Sequence, residues 1–260
     1  MNRPVRIAVD LQPQHADYAS IRAAAVRAEE MGADIVFNWD HFFPLSGDAD
    51  GRHFECWTML ASFAEVTERV EIGALVSAVG YRNPDLLADM ARTVDHISDG
   101  RLILGLGAGW FARDYEEYGY SFGTAGTRLS ALRDALPRIE NRLTVINPPP
   151  LRDIPILIGG GGERRTLRYA ARHADIWHGF GRPDVIRHKS EVLESWCARE
   201  GRDPAEIERS CGANPLKPES GDAYLDAGAT LLTLSFDGRT NYDLAPLAEW
   251  TAWRDGRNRA

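Results

Sequence analysis

The chain has 260 residues, 44% of them hydrophobic, and a formal net charge of −8. That length and apolar share suffice for a full core in a single domain over 1–260, and the acidic balance argues against nucleic-acid and anionic-membrane partners. No signal-type core opens the sequence, no apolar run reaches the roughly 20 residues of a spanning helix, and Cys56, Cys197 and Cys211 are too scattered for a disulfide framework or a zinc site, so a reducing cytoplasm is the expected compartment.

A first strand is predicted over 5–11, and Gln12 just beyond it is a candidate polar wall residue. A helical pattern at 17–31 leads to a second strand, 35–38, and then to Asn38-Trp39-Asp40-His41-Phe42. A carboxylate beside an imidazole can hold one tautomer and make the ring a proton donor; a loop histidine salt-bridged to Asp40 is the plainer reading. Trp39 either stacks on a ligand or anchors the loop. The helix at 54–68 holds Cys56 with no evident base near it. A third strand, 70–76, turns through 77–84, with Tyr81 and Arg82 as loop residues of no special role. Asn83-Pro84-Asp85 then starts a helix at 84–97, with proline in the first turn and an acid beside it.

The fourth strand, 101–106, carries the most information. Leu102, Ile103 and Leu104 form the apolar block of a fully buried parallel strand, and Gly105, Gly107 and Gly109 strip side chains from one face as it ends. A backbone bare on one side either lets a planar ligand lie against it or simply packs tightly. Helices at 111–118 and 126–143 follow, the second with Leu129, Leu132, Leu136 and Ile139 at the spacing of one buried face. Pro148-Pro149-Pro150 delivers the chain to the fifth strand, 154–158, through an extended loop. Gly159-Gly160-Gly161-Gly162 then joins that strand to a helix at 162–172; free backbone N–H groups at a helix start suit a phosphate. Arg164 and Arg165 either reach that phosphate or are solvated. Strands at 175–178, 208–211 and 230–235 alternate with helices at 183–200, 219–227 and 242–255. Eight strands, each followed by a helix, is the count of a (β/α)8 TIM barrel; an open doubly wound sheet is the alternative.

The stretch Gly105-Leu106-Gly107-Ala108-Gly109-Trp110, followed by Glu117, Tyr118 and Gly119, resembles the fourth-strand signature of the bacterial luciferase-like monooxygenase superfamily. Asp40-His41 resembles its second-strand motif, and Ala174-Asp175-Ile176-Trp177-His178-Gly179 its sixth-strand pattern. Gly201-Arg202-Asp203-Pro204 resembles the family's usual turn before the seventh strand, and Trp253-Arg254-Asp255 is similar to a common C-terminal ending of actinobacterial members. The resemblance implies a luciferase-like TIM barrel that binds coenzyme F420, a deazaflavin, or alternatively FMN. It implies a ring lying against a non-prolyl cis bulge at Leu75-Val76, against Ala78, and against Gly107, Ala108 and Gly109. Asp40 would also face the ring, and the cofactor phosphate would sit on Gly159, Gly160, Gly161 and Gly162. Gln12, Trp39, Trp110 and Trp177 are then candidate substrate walls, and His178 faces the mouth beside Trp177.

Two departures stand out. The insertion that relatives carry before strand 5 is shortened here, which opens the site. Trp110 stands where the sugar-phosphate dehydrogenase branch has an acid, so sugar-phosphate oxidation does not carry over. The resulting expectation is hydride transfer between F420 and a small organic substrate, a carbonyl, imine or activated alkene. His41 would be the proton donor or acceptor, positioned by Asp40. An FMN-dependent monooxygenase using O2 is the alternative, and a non-catalytic flavin-binding protein a further one. A metal-dependent hydrolase is set aside, because His41, His53 and His178 form no ligand pattern. Dimers are common in the superfamily, so a homodimer enters by analogy alone, and the sequence itself does not give the oligomeric state.

Overall fold

Each apolar run pairs with its neighbours through a parallel ladder in a computed structural model that describes residues 3–213 and 217–259. The strands are β1 (Arg6–Leu11), β2 (Ile35–Asn38), β3 (Glu71–Ala74), β4 (Ser77–Ala78), β5 (Leu102–Gly107), β6 (Ile156–Gly159), β7 (Ile176–Gly179), β8 (Glu208–Gly212) and β9 (Leu231–Phe236). β1 lies between β2 and β9, and pairing of β3 with β5 closes the ring. The predicted third strand is broken: β3 and β4 are its two pieces, parted at Leu75-Val76, whose peptide bond is cis. Counting these two as one, the sheet is the closed eight-strand barrel that the periodicity and the resemblance both point to.

Helices α1 (Tyr18–Glu30), α2 (Cys56–Val66), α3 (Pro84–Ile97), α4 (Ala112–Glu117), α5 (Ala125–Val145), α6 (Thr166–His173), α7 (Pro183–Glu200), α8 (Gly221–Leu225) and α9 (Ala245–Arg259) surround it. Asn83 caps α3 as its sequence predicts, its side chain accepting from the Asp85 N–H at 2.9 Å. The predicted helix at 162–172 starts later, at Thr166, because the glycines favour a turn and Arg165 supplies no side-chain cap. Between α5 and β6 the chain runs directly from Val145 to Ile156, so the short connection seen in the sequence is real. No helix among the described residues is long and apolar enough to cross a membrane.

Alternation along the strands divides the core into two layers. Ala8, Ile35, Phe37, Ile103, Leu157, Ile176 and Leu231 fill the barrel interior. Their neighbours, among them Ile7, Val9, Val36, Leu102 and Leu104, pack outward against the helices. The N-terminal end is plugged by Arg6, whose guanidinium reaches Glu71 at 2.6 Å and also bonds Glu208.

The alternating glycines of β5 have a structural cause. A Cβ on Gly105 would lie 1.8 Å from the Ala74 carbonyl oxygen, and one on Gly107 would lie 2.6 Å from a Val76 methyl. Gly109, at φ +78°, leaves room for the Tyr115 hydroxyl, which a Cβ would meet at 2.0 Å. Much of the bare face is therefore covered by the third strand's bulge and by α4. Of the two readings of this glycine run, tight packing accounts for Gly105, while Gly107, Ala108 and Gly109 still line the cleft at the strand's end.

Candidate active site

At the C-terminal ends of the strands lies a cleft of about 260 Å³. Asp40, His41, Leu75, Val76, Ala78, Gly107, Ala108, Gly109, Gly159 and Gly160 line it, as does Trp110 from the candidate substrate walls. Thr166, His178 and Phe180 complete it. Residues from β2 through β7 thus converge as a barrel mouth requires.

Five expected residues lie elsewhere, each for a physical reason. Gly161 and Gly162 are exposed beyond the cleft, on the outer arc of the glycine turn. Gln12 is drawn into loop contacts, accepting from the Gln14 side chain at 3.3 Å. Trp39 is held back by a hydrogen bond from its indole to His53 Nε2 at 3.0 Å. Trp177 is fully buried in the layer between barrel and helices and donates to the Gly160 carbonyl at 2.8 Å. With Ile176 and His178 pointing inward, period-two alternation turns Trp177 outward.

The partnership of Asp40 with His41 is also corrected. Asp40 is buried and accepts from both terminal nitrogens of Arg82, at 2.5 and 3.1 Å. Arg82 in turn reaches Glu55 at 2.6 Å, so it is a clamp and no idle loop residue. Burial pushes the Asp40 carboxyl above the ordinary range, against the pull of Arg82.

His41 is oriented instead by Asp114 on α4. Its Nδ1 lies 2.6 Å from Asp114 Oδ2. Asp114 is wholly buried and accepts two further bonds, from the Tyr81 hydroxyl at 2.7 Å and the Phe42 N–H at 3.0 Å. Burial pushes this carboxyl up, but the donors from His41, Tyr81 and Phe42 outweigh it and hold Asp114 below the usual carboxylate range. An ionised carboxylate only accepts, so the proton on that side belongs to His41 Nδ1. Among the described residues no side chain takes Nε2, which is left for a ligand in the cleft. The imidazole is framed by Trp39, Trp110 and Phe111, with ring centroids 6.0, 5.7 and 5.7 Å away in edge-on geometry.

The second histidine of the cleft has another character. His178 is buried, hydrogen-bonded through Nδ1 to Ser210 at 2.8 Å, and burial pushes it down to about 4. It is a neutral wall at pH 7. At the phosphate end, Gly160 donates its N–H to the His178 carbonyl at 3.0 Å and adopts φ +127°, a conformation that favours glycine. Space stays open beside Gly161, where a Cβ would meet nothing nearer than the Lys189 Cε at 3.8 Å. Of the two candidate arginines, Arg165 is tied to the Gly126 carbonyl at 2.9 Å and Arg164 is exposed.

Sequence reasoning missed Asp114, Tyr81, Arg82, Thr166 and Phe180. Asp114 stands in the first turn of α4, and only an acid in that turn hints at it.

A closed parallel barrel whose strand ends surround a glycine-walled cleft with a carboxylate-moored histidine defines a (β/α)8 barrel enzyme. Residues 3–232 match the family model for luciferase-like monooxygenases, and the chain belongs to that family of oxidoreductases. It is 30% identical over 211 residues to an F420-dependent glucose-6-phosphate dehydrogenase of Intrasporangium calvum, covering 71% of this chain and 61% of that protein. The chain thus spans about three fifths of that relative's length. Among solved structures, an F420-dependent secondary alcohol dehydrogenase in complex with an F420-acetone adduct superposes with a TM-score of 0.84 at 14% identity, over 96% of this chain and 98% of that one. The FMN-bound oxygenating constituent of 3,6-diketocamphane monooxygenase from Pseudomonas putida superposes with a TM-score of 0.64 at 16% identity, over 80% and 67%.

Proposed function

We propose that this protein transfers hydride between deazaflavin coenzyme F420 and a small organic carbonyl, imine or activated alkene. The observation that carries this reading is His41, whose Nδ1 is fixed on buried Asp114 and whose Nε2 is free on a cleft walled by glycine backbone. F420-named relatives in sequence and structure support the choice of deazaflavin.

The residues present fit such a group. Gly107, Gly109, Gly159 and Gly160 bring backbone rather than side chains to the cleft wall, so a flat ring system can approach it. Leu75, Val76 and Ala78 offer the apolar backing. The open turn at Gly161 would hold the phosphate through its backbone, beside a Lys189 ammonium paired to Glu163 at 2.5 Å. When bound, the deazaflavin supplies or accepts the hydride. His41 supplies the accompanying proton from Nε2 during reduction and takes it back during oxidation. Asp114 keeps the ring in one tautomer and stabilises it when both nitrogens are protonated. Arg82 holds Asp40 at the cleft wall without consuming the imidazole.

An FMN-dependent monooxygenase is the second reading, favoured by the superposition on an FMN-bound enzyme. Parallel titrations with F420 and FMN, followed by quenching of tryptophan fluorescence, separate the two. Saturable binding of F420 at least about tenfold tighter than FMN is the expected result. The opposite order moves the protein to the oxygen-using branch, and binding of neither removes both assignments.

A further inference from the structure

Trp110 keeps 63% of its surface exposed beside His41, and Phe180 keeps 70% exposed on the β7 side of the same cleft. We propose that the substrate half of this cleft is an aromatic enclosure for an uncharged apolar or aromatic carbonyl compound, with Trp110 as the residue that sets that specificity. The proposal rests on the oxidoreductase reading above and narrows its substrate class.

Three features carry it. The free nitrogen of His41 belongs to a ring whose neighbour in the cleft wall is Trp110, with centroids 5.7 Å apart, so a carbonyl oxygen that reaches it lies against an aromatic side chain. Phe180 packs edge-on against His178 at 4.8 Å and extends this surface along the cleft. Large aromatic side chains left open around a cleft gain by covering a ring or an alkyl group. Finally, the described residues that line the cleft include no lysine or arginine, and their one carboxylate, Asp40, is engaged by Arg82. A carboxylate or phosphate on the substrate would lose its water there and find no cation in exchange.

In the reductive direction a bound reduced deazaflavin would supply the hydride to the carbonyl carbon, and His41 Nε2 would give the oxygen its proton. A secondary alcohol and the oxidised cofactor would result, with the imidazole reprotonated from solvent. His178, uncharged and tied to Ser210, faces that substrate without competing for the proton.

Acetophenone and 4-acetylbenzoate, which differ by one carboxylate, test the proposal by calorimetric titration into the protein with and without bound F420. The wild type is expected to bind acetophenone at least about tenfold more tightly. Trp110→Ala shrinks that ratio by about threefold or more, and Trp110→Arg brings the carboxylate to parity or better. Because Trp110 is largely exposed, both variants fold, and the ratio is compared for each at saturating F420 and without it. Equal binding of the two ketones by the wild type, or an unchanged ratio in both variants, overturns the proposal. Failure of the wild type to bind F420 overturns the cofactor reading instead, and the ratio in the cofactor-free protein still decides the enclosure.

Discussion

His41→Asn is expected to lower kcat by about 10²–10⁴-fold while the F420 dissociation constant shifts by less than about threefold. Asparagine keeps a polar group of similar reach and can still donate to Asp114, so the loop keeps its place. What it lacks is an ionisable nitrogen at the cleft. If His41 moves a proton only in the reaction, the loss falls on kcat and leaves ground-state binding of the cofactor nearly untouched. Steady-state kinetics, paired with the cofactor titration, reads both quantities. A large rise in the F420 dissociation constant with kcat preserved would make His41 a binding residue.

The second large effect is at Asp114. Asp114→Asn places an amide where three donors converge, from His41, Tyr81 and the Phe42 N–H. One oxygen cannot serve them all, and the amide N–H₂ faces donors. Breaking such a buried, fully satisfied cluster costs about 2–4 kcal/mol of stability. The ring of His41 also loses the partner that fixes its tautomer, so kcat falls by about 10²-fold or more. Asp114 is held below its ordinary value of 3.8, so its ionised form contributes stability that is complete above that pH and fades below it as the carboxyl takes a proton. The gap in denaturation midpoint between wild type and variant is therefore widest at neutral pH and narrows toward pH 3 and below. Urea unfolding at pH 7 and at acid pH, with activity measured on the folded variant, checks both halves. Unchanged stability with normal kcat would mean that Asp114 neither holds nor tunes His41.

These effects show where the sequence was readable. The barrel was legible because buried parallel strands and amphipathic helices alternate with clear changes of period, as in Leu102–Gly107 followed by α4 and α5. His41 and both glycine clusters were legible because histidine after a strand and glycine at a strand end are chemically distinctive. The partner of His41 was not. Asp114 lies 73 residues away in sequence, and its local context is an ordinary first turn of a helix. Asp40, the neighbour that sequence offers, is turned to Arg82 by a bidentate pairing that only the closed barrel creates. Trp177 was misplaced because a parallel strand buried on both faces is apolar throughout, so nothing in its composition says which side chains point inward. The glycines of β5 allowed two readings, ligand room or tight packing, and only the neighbouring Ala74 and Val76 decide for packing at Gly105 and part of Gly107.

The most direct test of the central claim is an anaerobic single turnover. Protein loaded with reduced F420 is mixed with a ketone such as acetophenone, and the absorbance of the oxidised deazaflavin is followed against the alcohol formed. Stoichiometric appearance of both in the absence of oxygen, slowed in His41→Asn, is the expected result. Oxidation that occurs only when O2 is admitted, with oxygen incorporated into the product, would contradict it and place the chemistry in the monooxygenase branch.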